Sequence, residues 1–320
     1  MLNTKRLLDE KTVIAIMGPT ASGKTALALA LAQSYPIEII SVDSALIYKT
    51  MDIGTAKPSK QELAQVPHHL IDILDPLQSY SAAEFVYDCK RLVDQIHQRG
   101  HLPVLVGGTM MYFHALQQGL ADLPSADAKI RAELTQAYQV DSSALHDVLA
   151  GVDPGAAARI HVNDPQRLIR ALEIYQLTGQ SLTLLQAKQS SANWPVNLCK
   201  VGLIPQDRAW LHGRIEQRLK IMFEAGFVGE VRALYQRGDL KADLPSIRCV
   251  GYRQVWDYLE GQYDLETAFD KSLVATRQLA KRQLTWLRKE PSMLEMDPAR
   301  FKAEEQLAKL KAYLRLHKNY

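Results

Sequence analysis

The sequence predicts an α/β fold: a parallel sheet covered by helices on both faces, interrupted by an all-helical insertion and completed by a helical C-terminal part. Three observations predict it. The first third alternates short β-rich runs with helical stretches; residues 122–192 read as helix throughout; and one further strand, LCKVGLI at 198–204, returns before helices resume.

Taken in order, Val13–Gly18, Glu38–Asp43, Leu70–Leu74 and Pro103–Gly108 read as strands. VIAIMG, EIISVD and PVLVGG are almost continuous apolar runs, the pattern of parallel strands buried on both faces. An Ala/Leu-rich helix follows the first of them, from Ala26 to Ala32. Within the insertion, Ser125-Ala-Asp opens one helix and Asp164 caps Pro165 at another. After Pro205, Leu211, Ile215, Leu219 and Met222 share one helical face, while the charged tail beyond Pro291 reads as a peripheral helix. The expected domains are residues 1–121 with 193–320, and 122–192; a chain of 320 residues suits two.

Composition narrows the class. Hydrophobic residues make up 47% and charged residues 23%, which excludes fibrous and disordered chains. Cys89, Cys199 and Cys249 lie far apart without a CxxC pair, which argues against a disulfide framework or a cysteine zinc site and fits a reducing compartment. The nine histidines show no ligand spacing, so no zinc is assigned. The N-terminus is charged up to Lys11 and no window holds 18 apolar residues, so a cytoplasmic monomer with no signal peptide and no membrane partner is expected. Net charge is only +3, but it is unevenly placed: −1 over residues 1–120, −2 over 121–195 and +6 over 196–320. A basic C-terminal third is compatible both with a phosphate-bearing partner and with a solvated helical surface.

Gly18, Pro19, Thr20, Ala21, Ser22, Gly23, Lys24 and Thr25 match GxxxxGKT between a strand and a helix, the context a phosphate loop requires. The core is therefore expected to be phosphate-loop NTPase-like. The glycines let backbone amides turn around an anion, the helix N-terminus adds its dipole, Lys24 meets phosphate oxygens and the Thr25 hydroxyl is placed to ligate a phosphate-bound Mg2+. The motif grips a diphosphate without specifying what the diphosphate carries. No NKxD element, no LSGGQ segment and no helicase-like series follows, which argues against GTPases and motor ATPases. Asp43 ends a strand and so should share the crevice with the loop. Its role is either to hold magnesium or to accept a proton from a nucleophile.

From Asp43 the chain runs DSALIYKTMDIGTAKP to Pro58; Gly107-Gly-Thr-Met-Met-Tyr112, Asn163-Asp-Pro-Gln-Arg-Leu-Ile-Arg170, Ile247-Arg-Cys-Val-Gly-Tyr-Arg253 and Lys281-Arg-Gln-Leu-Thr-Trp-Leu-Arg288 follow in order. Together with GPTASGKT, this series closely resembles the tRNA dimethylallyltransferases (isopentenyl-tRNA transferases) over residues 13 to about 290. Thr50 departs from it, standing where that family has glycine in YxGMDIGTAKP.

The resemblance implies that the loop holds dimethylallyl diphosphate in place of ATP, with Mg2+, and that the acceptor is the exocyclic amine of the adenosine 3′ of the anticodon in a tRNA anticodon stem-loop. It implies catalytic roles for Asp43, Lys24, Thr25, Thr109 and Arg218, with Arg214 also on the diphosphate. Thr109, behind two glycines at a strand end, reads alternatively as a helix N-cap, and Arg214 and Arg218 as snorkelling surface arginines. The implied tRNA contacts are Asp43, Ser44, Ala45 and Leu46 after the second strand, Thr109, and Arg131 in the insertion. They continue through Gln166, Arg167, Leu168, Ile169 and Arg170, then Arg248, Cys249, Val250, Gly251, Tyr252 and Arg253. The last group is Arg277, Lys281, Arg282, Gln283, Leu284, Thr285, Trp286, Leu287 and Arg288. By helical spacing Arg277, Lys281 and Arg288 fall within roughly 40° of one another, a basic stripe flanked by Ala280 and Leu284, with Trp286 opposite and read as core.

Overall fold

The computed structural model describes residues 4–121, 123–188 and 194–316. The chain divides into two compact units, one formed by residues 1–113 with 195–320 and the other by 114–194.

The larger unit opens with α1 (Thr4–Asp9), β1 (Thr12–Met17), α2 (Lys24–Ala32), β2 (Ile37–Val42), α3 (Lys60–Gln65), β3 (His68–His69), α4 (Ala82–Gln98) and β4 (Leu102–Gly107). Helix α5 (Met110–Gln118) leads out of it, and β5 (Asn197–Leu203) leads back. The six strands order as β3-β2-β4-β1-β5-β6, β6 being Leu294–Met296, and every pairing is parallel. Every residue of β1, β2 and β4 is buried, as their unbroken apolar runs require. In register, Met17 and Val42 both lie opposite Gly107, so the segments that follow β1, β2 and β4 leave the sheet at one level. That shared edge builds the site.

The remaining helices of this unit are numbered in chain order after the insertion's five. Those five are α6 (Ala128–Val140), α7 (Ser142–Val152), α8 (Pro154–Ala157), α9 (Pro165–Thr178) and α10 (Leu182–Ala187). Then come α11 (Arg208–Glu224), α12 (Phe227–Gln236), α13 (Tyr252–Leu259), α14 (Leu265–Leu287) and α15 (Ala303–Leu316). The sheet core joins Ile14, Ile16, Leu27, Leu31, Val104 and Val201. A second cluster, Ile47, Tyr48, Met51, Phe227, Val231, Tyr252 and Trp256, packs the loop after β2 against α12 and α13.

Two expectations are corrected, and one strand goes unpredicted. The strand expected at Leu70–Leu74 is instead the two-residue β3, because Leu70 and Asp72 take left-handed φ of 61° and 56° and break the extended run; Leu74 keeps only an isolated bridge to Tyr48. The tail is no peripheral helix: Leu310 and Leu314 of α15 are fully buried in the same cluster as Leu27 and Leu31. The strand β6 on the sheet edge was missed altogether, since three residues carry no periodicity.

The smaller unit is helical among its described residues and holds its own core of Leu134, Leu145, Leu149, Leu168, Ala171 and Leu172. Four of its described helices start on aspartates, and α10 starts on Ser181. Asp127, Asp141, Asp153 and Asp164 each accept first-turn amides, so the start expected at Ser125-Ala-Asp is capped by its aspartate, Asp127.

Candidate active site

The loop after β1 is held from several sides. Gly23 takes φ 95°, a conformation L side chains rarely adopt, and turns the chain into α2, whose first-turn amides lack intrahelical acceptors. Lys24 Nζ donates to Pro19 O at 2.7 Å, and Arg214 Nε, from α11, donates to Ala21 O at 2.8 Å. The Thr20 amide donates to Gln283 Oε1 of α14 at 2.9 Å. Ser22 Oγ is buried without a hydrogen-bond partner among the described residues.

Beside the loop lies a cavity of about 200 Å³. Lys24, Thr25, Asp43 and Arg218 bring charge and a hydroxyl to it, while Ile39, Val106, Leu219, Met222, Phe227 and Leu279 make much of its wall apolar. Burial first, then the neighbouring Arg218, pull the Lys24 pKa down to about 7, with Asp43 opposing. Burial also lowers the pKa of Arg218, again with Asp43 opposing. A second cavity shares Ala21, Lys24, Thr25 and Arg218 with the first and adds Gly23, Arg214 and Gln217. Arg214 is otherwise exposed, its guanidinium 5.0 Å above the Trp210 ring.

Asp43 leaves β2 with Oδ1 accepting the amides of Ala45 at 2.8 Å and Leu46 at 3.4 Å; Oδ2 accepts no hydrogen bond among the described residues. Ala45 and Leu46 line the cavity, whereas Ser44 is exposed and gives its amide to Thr109 Oγ1 at 3.1 Å. The Thr109 hydroxyl thus ties the ends of β2 and β4 together. Ser41 Oγ and His68 Nε2 also reach the cavity wall, buried and without partners among the described residues.

Cys249, Val250, Gly251 and Tyr252 line the opposite wall. Burial pushes the Cys249 thiol up to about 12, so it stays protonated. Glu230, which belongs to no motif or spacing pattern, organises this wall. It accepts the amides of Asp52, Ile53 and Gly54 at 2.8, 2.7 and 3.1 Å and the Tyr252 hydroxyl at 2.5 Å, joining the loop after β2 to the start of α13.

The remaining expected residues separate by contact. Lys281, Arg282, Thr285 and Trp286 are exposed on α14 and Arg288 is exposed just past its end, while Ala280, Gln283, Leu284 and Leu287 form its buried face. The reading of Trp286 as core is corrected: it is 44% exposed and stands among the cations. Arg277 leaves the basic stripe to pair with Glu216 at 3.2 Å. Arg248 is exposed, but Arg253 is tied to Asp257 at 2.8 Å and to Ala242 O at 2.7 Å.

In the smaller unit Gln166 and Arg167 are exposed, Leu168 is core and Ile169 packs against that core. Arg131 and Arg170 both grip the buried carboxylate of Glu173, at 3.0 and 2.7 Å, so their charge is spent inside the unit. A charge count could not reveal this, because Glu173 is offset in the net balance without being located.

A sequence profile described as IPP transferase matches residues 46–290. The chain belongs to the IPP transferase family. The tRNA dimethylallyltransferase of Hydrogenovibrio crunogenus is 56% identical over 314 residues, covering 98% of this chain and 97% of that protein. Among solved structures of IPP transferase relatives, the tRNA isopentenylpyrophosphate transferase of Bacillus halodurans aligns with TM-score 0.70 at 40% identity, covering 95% of each chain. A eukaryotic dimethylallyltransferase acting on tRNA aligns with TM-score 0.76 at 27% identity, over 90% of this chain and 74% of that one.

Proposed function

We propose that this chain is a tRNA dimethylallyltransferase, moving the dimethylallyl group of dimethylallyl diphosphate to N6 of the adenosine 3′ of the anticodon (position 37) and releasing diphosphate. The observation that carries the reading is the cavity: one end is a phosphate loop with Lys24, Thr25 and Arg218, and much of the wall is aliphatic and aromatic. A diphosphate bearing a branched allyl group has that same division between charge and hydrocarbon.

The chemistry follows from the residues. The adenine amine attacks the allylic carbon, the carbon–oxygen bond to diphosphate breaks, and the electron pair leaves with the diphosphate. Lys24, Arg218 and the loop amides stabilise the charge that gathers there. The proton lost from the amine passes to Asp43, whose Oδ1 is pinned by two amides while Oδ2 remains open to an incoming donor. The Thr25 hydroxyl, which lines the cavity, is a hard oxygen ligand that would hold a Mg2+ ion, and such an ion would supply charge neutralisation at the diphosphate.

An adenine inside a stacked anticodon loop cannot reach this cavity, so it must be flipped out, with the anticodon stem-loop held by exposed cations. In this reading the exposed Lys281, Arg282, Arg288 and Arg248 hold it, and the exposed Gln166 and Arg167 give the helical unit its part as a tRNA grip. The enzyme works as a cytoplasmic monomer in this reading, and no described helix is long and apolar enough to cross a membrane.

The test is nucleoside analysis of unmodified tRNA incubated with the enzyme, Mg2+ and dimethylallyl diphosphate. N6-isopentenyladenosine at position 37 is the expected product. Modification of another nucleotide would overturn the acceptor reading, and the absence of any prenylated nucleoside would overturn the activity.

A further inference from the structure

We propose that Gln283 is a positioning residue for the donor loop and not an RNA contact. This deepens the function proposed above and rests on it. Gln283 sits within the Lys281–Arg288 segment of α14, whose exposed side chains are cationic, yet its own side chain is 9% exposed and turned the other way. Its Oε1 accepts the Thr20 amide and its Nε2 donates to Gly108 O, each at 2.9 Å. One side-chain amide therefore bridges the loop after β1 to the residue after β4.

Both bonds act on the anion cradle. Pro19 has no N–H, so the Thr20 amide is the first donor after Gly18, and Gln283 takes it up. That leaves phosphate binding to the amides farther along and to Lys24. The cradle is also built around this side chain, because a Cβ at Gly108 would lie 2.3 Å from Gln283 Nε2. A buried primary amide at this point has both of its bonds directed at groups that frame the cavity, and losing them leaves the half-buried Thr20 donor without its acceptor and Gly108 O with the Met110 amide alone. The chain thereby fixes the donor loop to the helix that carries the exposed cations.

The experiment compares wild type with Gln283→Met, which keeps the volume and removes both bonds, and Gln283→Glu, which keeps an acceptor for Thr20 but faces Gly108 O with a carboxylate. Affinity for an unreactive thiolodiphosphate analogue of the donor is measured without tRNA, and affinity for unmodified tRNA without donor. Gln283→Met is expected to weaken analogue binding about tenfold while leaving the tRNA Kd within about twofold. Gln283→Glu is expected to fall between it and wild type.

Gly108→Ala displaces the same amide without touching Gln283, and is expected to weaken the analogue but to add little in the Gln283→Met background, since both act through one contact. It also serves if Gln283→Met proves too unstable to assay. Unchanged analogue affinity in Gln283→Met, a parallel loss of tRNA affinity, or additive effects in the double variant would each overturn the proposal. Wild-type transfer to tRNA, run alongside, tests the underlying activity separately: its failure would sink the function while leaving the analogue measurement interpretable.

Discussion

Lys24 is the cation whose protonation governs how tightly an anion is held. Its pKa lies near 7 in the ligand-free protein, lowered by burial and then by Arg218, so the ammonium is only partly populated at neutral pH. A bound diphosphate favours the charged form, binding takes up a proton, and affinity must fall as pH rises through about 7. Donor-analogue affinity is expected to weaken by on the order of tenfold or more from pH 7 to 9, where the diphosphate itself no longer titrates. Lys24→Arg, charged throughout, should flatten that profile, as binding titrations at several pH values would show. Asp43→Asn separates chemistry from binding: analogue affinity is expected to hold while single-turnover transfer drops roughly 10²-fold or more. An unchanged rate would remove Asp43 as proton acceptor. Thr50 occupies the turn where the family resemblance leads one to expect glycine, and it does so at φ 62°. A β-branched residue there is strained by about 1–2 kcal/mol, so Thr50→Gly is expected to raise stability by about 1 kcal/mol in urea unfolding, with no change in transfer rate.

Helix α14 shows how one element serves two surfaces. Ala280, Gln283, Leu284 and Leu287 repeat at three- and four-residue spacing and are buried, while Lys281, Arg282 and Arg288 stay in solvent. Neutralising Lys281 with Arg288 is expected to raise the tRNA Kd and to flatten its salt dependence by about one unit of log–log slope per lost phosphate contact, with donor affinity unmoved. Neutralising Arg131 with Arg170 should differ in kind, since both hold buried Glu173. That pair is expected to lower the melting temperature first, a distinction thermal unfolding run beside the salt titration resolves. The elements themselves were legible to the degree that burial wrote a pattern: β1, β2 and β4 are fully buried and read as apolar runs, and α15 was readable as a helix. That α15 is buried was not readable, because its buried Leu310 and Leu314 are interleaved with charges that read as a solvated surface.

At the scale of the whole molecule, the ends of three adjacent strands deliver the phosphate loop, Asp43 and Gly108–Thr109 to one edge of the sheet. The loop and Asp43 were visible in the sequence because each is a local motif at a strand end. What ties them together was not. Gln283 meets Thr20 across 263 residues and Glu230 meets Asp52 across 178, and neither side chain belongs to a pattern that spacing or charge can single out. The central claim is that this assembled edge takes a prenyl diphosphate as donor and tRNA as acceptor. The most direct measurement offers dimethylallyl diphosphate labelled in the allyl group, with Mg2+, to unmodified tRNA, AMP and ATP in parallel, while assaying ADP formation from ATP. Label is expected in tRNA alone, with diphosphate released in equal amount and no ADP. Label in AMP or ATP, or ADP formed in step with transfer, would contradict it.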